Sequence, residues 1–212
     1  MTYYKLLEGK DAGDIIMKDS VGKFYVYSFG AEKWVRSAIM LRYQWAEDDL
    51  YDQYTEVSEN DALFNLDTQR INLLQLFSKA KKIAYKAHHG QIDKGENPYI
   101  EHPLAVAESL EDLEQKIIAL LHDVLEDSQI TAEFLLEQGF TKRIISSIIT
   151  LSKKDGQNYD EYLKFIKQDN LAWKVKMADI RHNMDISRIS APTSEDTQRI
   201  KKYKKALAFL EL

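Results

Sequence analysis

The 212-residue chain contains no cysteine and only three prolines. The absence of cysteine excludes disulfide bonds and thiolate metal sites, and it fits a reducing compartment, so we expect a cytoplasmic protein. No apolar run approaches the roughly 18 residues that a membrane-spanning helix needs. The N-terminal MTYYKLLEGKDAGD does not follow the basic-then-apolar order of a signal peptide. We therefore expect no membrane partner.

An excess of positive charge is also missing. The net charge is −5; residues 1–66 carry 7 basic and 12 acidic residues, and the remainder carries 22 of each. Proteins that bind nucleic-acid duplexes usually show a basic face. The sequence therefore predicts no nucleic-acid partner. It leaves the oligomeric state open, with a homodimer as one option.

Two segments with different patterns follow one another along the chain. Residues 1–66 contain KFYVYSF, which alternates aromatic and β-branched residues, and KWVRSAIMLRYQW, in which we expect a second pair of strands. From residue 67 onward, apolar residues recur at helical spacing through about eight helices joined by short links. The sequence thus predicts a mainly α protein. An all-α domain over residues 67–212 follows a small β-rich N-terminal domain, residues 1–66, of unknown role.

Charge is concentrated in the run LLHDVLED, residues 120–127. Its apolar residues should bury this helix, yet it also carries His122, Asp123, Glu126 and Asp127. Glu126 lies four residues after His122, and Asp127 four after Asp123, so each ligand-type residue has a carboxylate one turn later. Burying these groups without compensation is costly, and a divalent cation would offset that cost. An exposed helix face with surface charges is the alternative, which the surrounding apolar residues disfavour.

Further metal ligands must come from other segments. We single out His102 in PYIEHP, at a loop-to-helix junction, and Asp179 in VKMADIRHNM, after an apolar run. Mixed histidine and carboxylate ligation suits Mn²⁺, Fe²⁺ or Zn²⁺ rather than the all-oxygen cage of Ca²⁺. Such an ion activates water and polarises a phosphoryl oxygen, which indicates hydrolysis.

In this order, PYIEHP, ALLHDVLED and VKMADIRHNM resemble the HD-domain hydrolases. Among these they resemble the hydrolase half of RelA/SpoT proteins, which remove the 3′-pyrophosphate from (p)ppGpp. The resemblance extends through AHHGQIDKGENPYIEHPLAVAESL and covers about residues 70–190. It implies an HD-domain helical bundle, a small-molecule nucleotide substrate and a Mn²⁺ cofactor, with another divalent transition metal as an alternative.

The resemblance also implies roles for individual residues. Glu126 and Asp127 would orient or deprotonate the attacking water. The implied metal ligands are His102, His122, Asp123 and Asp179, and the implied substrate contacts are Lys94, Asn183, His88 and Gln91. Tyr159 and Tyr162, three residues apart in NYDEYLKFI, are further candidates for the border of the substrate pocket, with packing in the core as the alternative.

Several positions depart from the family's pattern. Asp93, in QIDKG, stands where the hydrolases carry an arginine that stacks on guanine, and a carboxylate repels phosphate. Ile180 replaces an arginine, and Ile186 a threonine near the nucleotide. Arg188 would close the site or pair with Asp185. We therefore expect intact metal chemistry with an altered base pocket. The leading hypothesis is (p)ppGpp 3′-pyrophosphohydrolase; the alternatives are hydrolysis of another nucleotide phosphate, or a metal-bound nucleotide sensor with weak turnover.

Overall fold

The computed structural model describes residues 1–7, 11–40, 43, 53–153, 156–189 and 192–212. The chain divides into two compact units, Met1–Gln75 and Leu76–Leu212. The division falls inside helix α1, Glu59–Ala87, whose two ends therefore belong to different units.

The N-terminal unit is built on an antiparallel sheet with the strand order β4-β3-β2-β1-β5. Its strands are β1 Thr2–Leu6, β2 Ile15–Lys18, β3 Phe24–Ser28, β4 Lys33–Arg36 and β5 Tyr54–Val57. Strand β2 is central and buried on both faces, because Ile15 and Met17 pack with Tyr3 while Ile16 packs with Leu6. The small β-rich segment predicted at the N-terminus is confirmed.

The stretch KWVRSAIMLRYQW supplies only part of the strand pair expected from it. Strand β4 covers its first four residues and pairs with β3. Ile39 and Met40 are buried against Leu6 and Ile16, and residues 41–42 and 44–45 lie outside the described residues. The described part of the stretch is therefore one strand followed by a turn.

Helix α1 begins at Glu59, within the segment that the sequence assigned to the β-rich domain. Ser58 caps its start, because the hydroxyl oxygen accepts a hydrogen bond from the backbone N–H of Asp61 at 3.1 Å. Ala62 and Leu66 then pack against the sheet. The polar run SEND thus starts a helix.

The C-terminal unit is helical, which confirms the mainly α prediction. After α1 its helices are α2 Glu101–Glu108, α3 Leu113–Leu121, α4 Val124–Asp127, α5 Ala132–Glu137, α6 Lys142–Leu151, α7 Tyr159–Gln168, α8 Asn170–Asn183 and α9 Ser194–Glu211, with a 3₁₀ turn at Ile186–Arg188. The core lies around α3, whose residues 117–121 are fully buried and which packs against α2, α6 and α8. Within the described ranges, no helix is both long and apolar enough to cross a membrane.

Helix α8 is anchored where it begins. The Asp169 carboxylate accepts hydrogen bonds from the backbone N–H groups of Leu171 and Ala172, both at 3.0 Å, and from the Ser147 hydroxyl. Half of the 14 residues of this helix are buried, and Asp179 is one of them. Asp179 is therefore carried into the core on a fixed element, next to the buried helix α3.

Candidate metal centre and adjoining pocket

Four ligand-type side chains converge in the C-terminal unit. His102 comes from the start of α2, His122 and Asp123 from the junction of α3 and α4, and Asp179 from the last part of α8. One ligand atom from each of His102, His122 and Asp179 lies within 4.8 Å of the others. Asp123 Oδ2 lies 3.0 Å from His122 Nε2 and 3.8 Å from His102 Nε2. The structure thus brings the four predicted metal ligands together in one cluster.

His122 and Asp123 lie at the junction of two helices rather than inside one helix. The run LLHDVLED was expected to lie on one helix, but α3 ends at Leu121 and α4 begins at Val124. Neighbouring side chains of a continuous helix point about 100° apart. His122 and Asp123 instead lie in the turn between the helices, with their ligand atoms 3.0 Å apart. The single-helix prediction was wrong, because α3 ends before this pair and α4 begins after it.

The hydrogen bonds of His122 prepare it to act as a ligand. Its Nδ1 lies 2.7 Å from the carbonyl oxygen of Ala119, which only accepts, so Nδ1 carries the hydrogen. In the neutral imidazole Nε2 then keeps its lone pair, and this atom is buried 3.0 Å from Asp123 Oδ2. A buried lone pair that faces two carboxylates is unfavourable unless a cation lies between them. Two imidazoles and two carboxylates are a donor set that fits a divalent transition metal.

The charges of the cluster also indicate that it needs a bound cation. Burial raises the pKa of Asp123 and of Asp179, but His122 beside the first and Lys176 beside the second outweigh it and hold both pKa values below their ordinary range. Burial lowers the pKa of His122, but Asp123 and Asp179 outweigh it and raise that pKa to about 9. In the metal-free protein a proton on His122 therefore supplies the positive charge that the carboxylates require.

Metal binding by this cluster should consequently depend on pH. His122 is protonated at neutral pH when the metal is absent, because its pKa lies at about 9, and it must lose that proton to coordinate an ion. The apparent Mn²⁺ affinity should rise about tenfold per pH unit below that pKa and level off above it. Calorimetry in buffers of different ionisation enthalpy would count one proton released. A constant affinity between about pH 7 and pH 8.5 would contradict this competition.

Two residues that the sequence did not single out hold the carboxylates of the cluster. Lys176 Nζ donates to Asp179 Oδ2 at 2.9 Å, and the Tyr99 hydroxyl donates to Asp123 Oδ2 at 2.6 Å. Asn183, predicted to contact the substrate, also donates to Asp179 Oδ1. The spacing of Lys176 and Asp179 by three residues on a buried helix was a readable signal for that pair. No local pattern links Tyr99 to Asp123.

Loss of the Lys176 cation should destabilise the metal-free protein. Lys176→Met keeps the length of the side chain but leaves Asp179 buried without its ion-pair partner, which costs about 3–5 kcal/mol when one member of a buried pair is removed. Bound metal should restore part of that loss. Urea unfolding with and without a chelator measures both effects. Lys164→Met, an exposed lysine on α7, is the matched control and should change the free energy of unfolding by less than about 0.5 kcal/mol.

The predicted acidic pair lies on α4, directly after Asp123. Glu126 Oε1 accepts a hydrogen bond from the backbone N–H of Lys153 at 2.6 Å, which fixes the direction of its carboxylate. Both residues are exposed, yet partial desolvation, followed for Asp127 by the charge of Asp123, raises the pKa of both carboxyls. A raised pKa lies closer to neutral pH, where a carboxyl group accepts and releases protons more effectively. The pair is thus suited to proton transfer.

His88 and Gln91 lie on the other side of this short helix. His88 is buried, and its Nδ1 lies 2.8 Å from Gln91 Oε1. Gln91 Nε2 in turn donates to the main-chain oxygen of Asp127 at 3.0 Å. Both side chains thus support the end of α4, and neither lines the adjoining pocket described below. Their contact with substrate stays a prediction.

Tyr159 and Tyr162 lie on α7 and pack near Lys176 of α8. The two rings lie 6.0 Å apart. Tyr162 is buried, its hydroxyl donates to the Leu151 carbonyl, and Lys176 Nζ lies 5.5 Å from its ring centre. Burial raises the pKa of Tyr162 to about 12. Both tyrosines belong to the packing around Lys176, and their role as pocket residues stays a prediction.

A pocket of about 230 Å³ adjoins the cluster on the side of His102. Tyr99 and His102 form its inner wall. The rest of its lining is Ile92, Asp93, Lys94, Gly95, Asn183, Asp185, Arg188, Ile189 and Arg199. Lys94 and Asn183, both predicted as substrate contacts, therefore lie in the same pocket. Three basic and two acidic side chains line it, which favours an anionic ligand.

Asp93 does not present an unpaired negative charge to this pocket. Its Oδ1 accepts hydrogen bonds from the backbone N–H groups of Gly95 and Asn97 at 2.8 and 2.9 Å, and its Oδ2 accepts one from Arg188 Nη2 at 2.6 Å. Burial raises the pKa of Asp93, but these donors outweigh it and lower that pKa. Arg188 therefore offsets the repulsion of phosphate that the sequence suggested for Asp93. The ion pair of Arg188 is with Asp93 rather than with Asp185.

Known proteins share part of this sequence, although no protein-family model matches the chain. The chain is 35% identical over 121 residues to the bifunctional (p)ppGpp synthase/hydrolase SpoT of Escherichia coli K12. It is 31% identical over 136 residues to the probable GTP pyrophosphokinase of Mycobacterium leprae. These matches cover 50% and 58% of this chain but 17% of each relative. The chain thus spans a small part of the curated relatives it matches.

A solved structure is similar as well. It is described as a metazoan ortholog of SpoT that hydrolyses ppGpp, and it matches with a TM-score of 0.54 and 21% identity over 64% of this chain and 84% of that one. At this level of identity the likeness shows the fold. Together with the sequence matches, it confirms the resemblance predicted from the three motifs. The chain contains a domain similar to the hydrolase domain of RelA/SpoT proteins.

Proposed function

We propose that the chain is a metal-dependent phosphohydrolase that removes the 3′-pyrophosphate from (p)ppGpp, and that an HD-type helical bundle over residues 67–212 carries this activity. The observation that carries the proposal is the convergence of His102, His122 and Asp179, all buried, with Asp123, beside a pocket whose lining carries three basic and two acidic side chains. The relatives with 31–36% identity bear the names of GTP pyrophosphokinases or diphosphokinases and of a bifunctional (p)ppGpp synthase/hydrolase. Of these activities, a metal cluster with an adjacent acidic pair favours hydrolysis.

The cluster would hold one divalent ion, with Mn²⁺ as our first candidate. His102 and His122 offer imidazole nitrogens, and Asp123 and Asp179 offer carboxylate oxygens, a mixed set that suits a first-row transition metal. When bound there, such an ion supplies Lewis acidity toward a phosphoryl oxygen and lowers the pKa of water. Lys176 and Tyr99 keep the two carboxylates oriented toward the cluster.

The proposed chemistry needs groups that move protons and groups that hold phosphate. Glu126 and Asp127 have raised pKa values and lie next to Asp123, so they are placed to accept the proton of the attacking water and return one to the departing sugar oxygen. The ammonium of Lys94 lies 3.4 Å from Asp196 at the edge of the pocket, and its side chain is 60% exposed. An incoming phosphate can therefore replace part of that weak ion pair.

A different nucleotide phosphate is the second candidate substrate. The observation that favours it is the pairing of Asp93 with Arg188, which fills the place where the resemblance implies a free arginine for stacking on guanine. Ile180 is fully buried and so offers no contact to the pocket. A sensor with weak turnover has less support, because binding alone does not require the pair Glu126 and Asp127.

A substrate panel decides among these functions. Purified protein with Mn²⁺ is mixed with ppGpp, pppGpp and other nucleoside phosphates, and phosphate and pyrophosphate are measured separately. We expect pyrophosphate to appear from (p)ppGpp at a rate that a chelator abolishes. Release from another nucleotide at a higher kcat/KM would identify the second candidate. Tight nucleotide binding without release from any ester would overturn the hydrolase proposal in favour of a sensor.

A further inference from the structure

A chain of polar contacts runs from the pocket loop to the metal cluster. Asp93 Oδ2 lies 2.6 Å from Arg188 Nη2, and Arg188 Nη1 lies 2.9 Å from His182 Nδ1. His182 Nδ1 lies 2.8 Å from His102 Nδ1. On the far side of its ring, His102 Nε2 lies 3.3 Å from Asp179 Oδ1. The contacts therefore connect Asp93 to the back of a candidate metal ligand.

Arg188 determines which atoms donate and which accept in this series of hydrogen bonds. A guanidinium only donates, so His182 Nδ1 must be an acceptor. His102 Nδ1 approaches the same lone pair and must therefore donate as well, because the opposite arrangement would set two N–H groups against each other. A neutral His102 with its hydrogen on Nδ1 has its lone pair on Nε2, the atom that faces Asp179.

The contact between the loop and the 3₁₀ turn is tightly packed. A Cβ on Gly95 would lie 2.2 Å from the main-chain oxygen of Arg188, so only glycine allows this approach. The loop itself is held by the backbone N–H groups of Gly95 and Asn97, which donate to Asp93. Asp93 and Arg188 are 95 positions apart in sequence, yet the close packing of Gly95 against Arg188 holds them next to each other.

We propose that Asp93 and Arg188 are positioning residues that act through His182 to set the tautomer and ring orientation of His102. The inference rests on the proposed function, since it gives the relay a role in metal binding. Partners of a metal-bound histidine typically contribute about 10–100-fold to metal affinity. The acid at position 93 thus supports the cluster through Arg188 and His182.

The test uses the whole chain and two readouts that need no turnover. The primary variant is Arg188→Met, which keeps a long side chain but removes the donor to His182. Nitrogen-15 NMR of the metal-free protein reports which nitrogen of His102 carries the hydrogen, and calorimetry with Mn²⁺ reports affinity. Arg181→Met is the matched control, because Arg181 is exposed and pairs with Glu211 on α9.

We expect Nδ1–H on His102 in the wild type and in Arg181→Met, and a mixture of tautomers in Arg188→Met. Mn²⁺ affinity should fall about 10–100-fold in Arg188→Met and stay within about twofold in the control. Asp93→Asn, a milder change, should shift both readouts in the same direction and serves if Arg188→Met does not fold. Unchanged tautomer and affinity in a folded variant of either kind would overturn the relay. Wild-type protein that binds no metal would instead overturn the proposed function, while the NMR readout would still test the relay.

Discussion

Asp123→Ala is expected to abolish both metal binding and hydrolysis. The carboxylate of Asp123 lies 3.0 Å from His122 Nε2 and 3.8 Å from His102 Nε2, so its removal takes away one of four donors and one of two negative charges. A catalytic metal contributes several kcal/mol to transition-state stabilisation, which corresponds to a loss of about a thousandfold or more in rate. The effect should therefore reach the detection limit of a turnover assay.

The same variant should still fold when the metal is absent. Burial and the charge of Asp179 oppose the ionisation of Asp123, although His122 outweighs them and lowers its pKa. Deleting Asp123 therefore relieves a repulsion at the same time as it removes the partner of His122. Mn²⁺ calorimetry, pyrophosphate release and circular dichroism are measured together. Asp160→Ala, an exposed carboxylate in the first turn of α7, is the control and should retain metal and activity. A folded Asp123→Ala protein with wild-type turnover would rule out the metal mechanism.

The sequence predicted the site best where the candidate ligands and the apolar core residues occur in one short run. LLHDVLED placed a histidine and three carboxylates among leucines. The structure buries Leu120 and Leu121 in α3, and it places His122 and Asp123 directly after α3 and the acidic pair on α4. The prediction of one continuous helix failed at His122 because helical spacing is insensitive to a short break. The turn there costs little, since both residues keep right-handed helical backbone angles.

Contacts between residues far apart in the sequence could not be predicted from local sequence patterns. Tyr99 donates to Asp123 across 24 positions, and Arg188 to Asp93 across 95. Such pairs are set by how helices and loops pack, and no residue spacing reports them. Asp93 was judged from its residue type alone, as a charge that repels phosphate. Its actual effect depends on three donors, two of them backbone N–H groups, that only the folded loop provides.

Glu126→Gln and Asp127→Asn should separate metal binding from proton transfer. Each change keeps the shape of the side chain and removes a carboxylate that lies outside the four-residue cluster, so Mn²⁺ affinity should change by only a few fold. Turnover should fall about 10²–10⁴-fold in the variant that replaces the working base. The expected pattern is thus opposite to that of Asp123→Ala, which loses the ion itself.

The pH profile identifies which carboxylate is the base. A base works when it is deprotonated, so kcat/KM should rise with pH through the raised pKa of that group, at a higher pH than for an ordinary carboxyl near about 4. Substituting the base should remove this acidic limb, while substituting the other residue should leave it in place at a lower rate. Two variants with wild-type rates and unchanged profiles would show that neither carboxylate takes part. Glu126 is our first choice, because the Lys153 N–H fixes one of its oxygens and so aims the other.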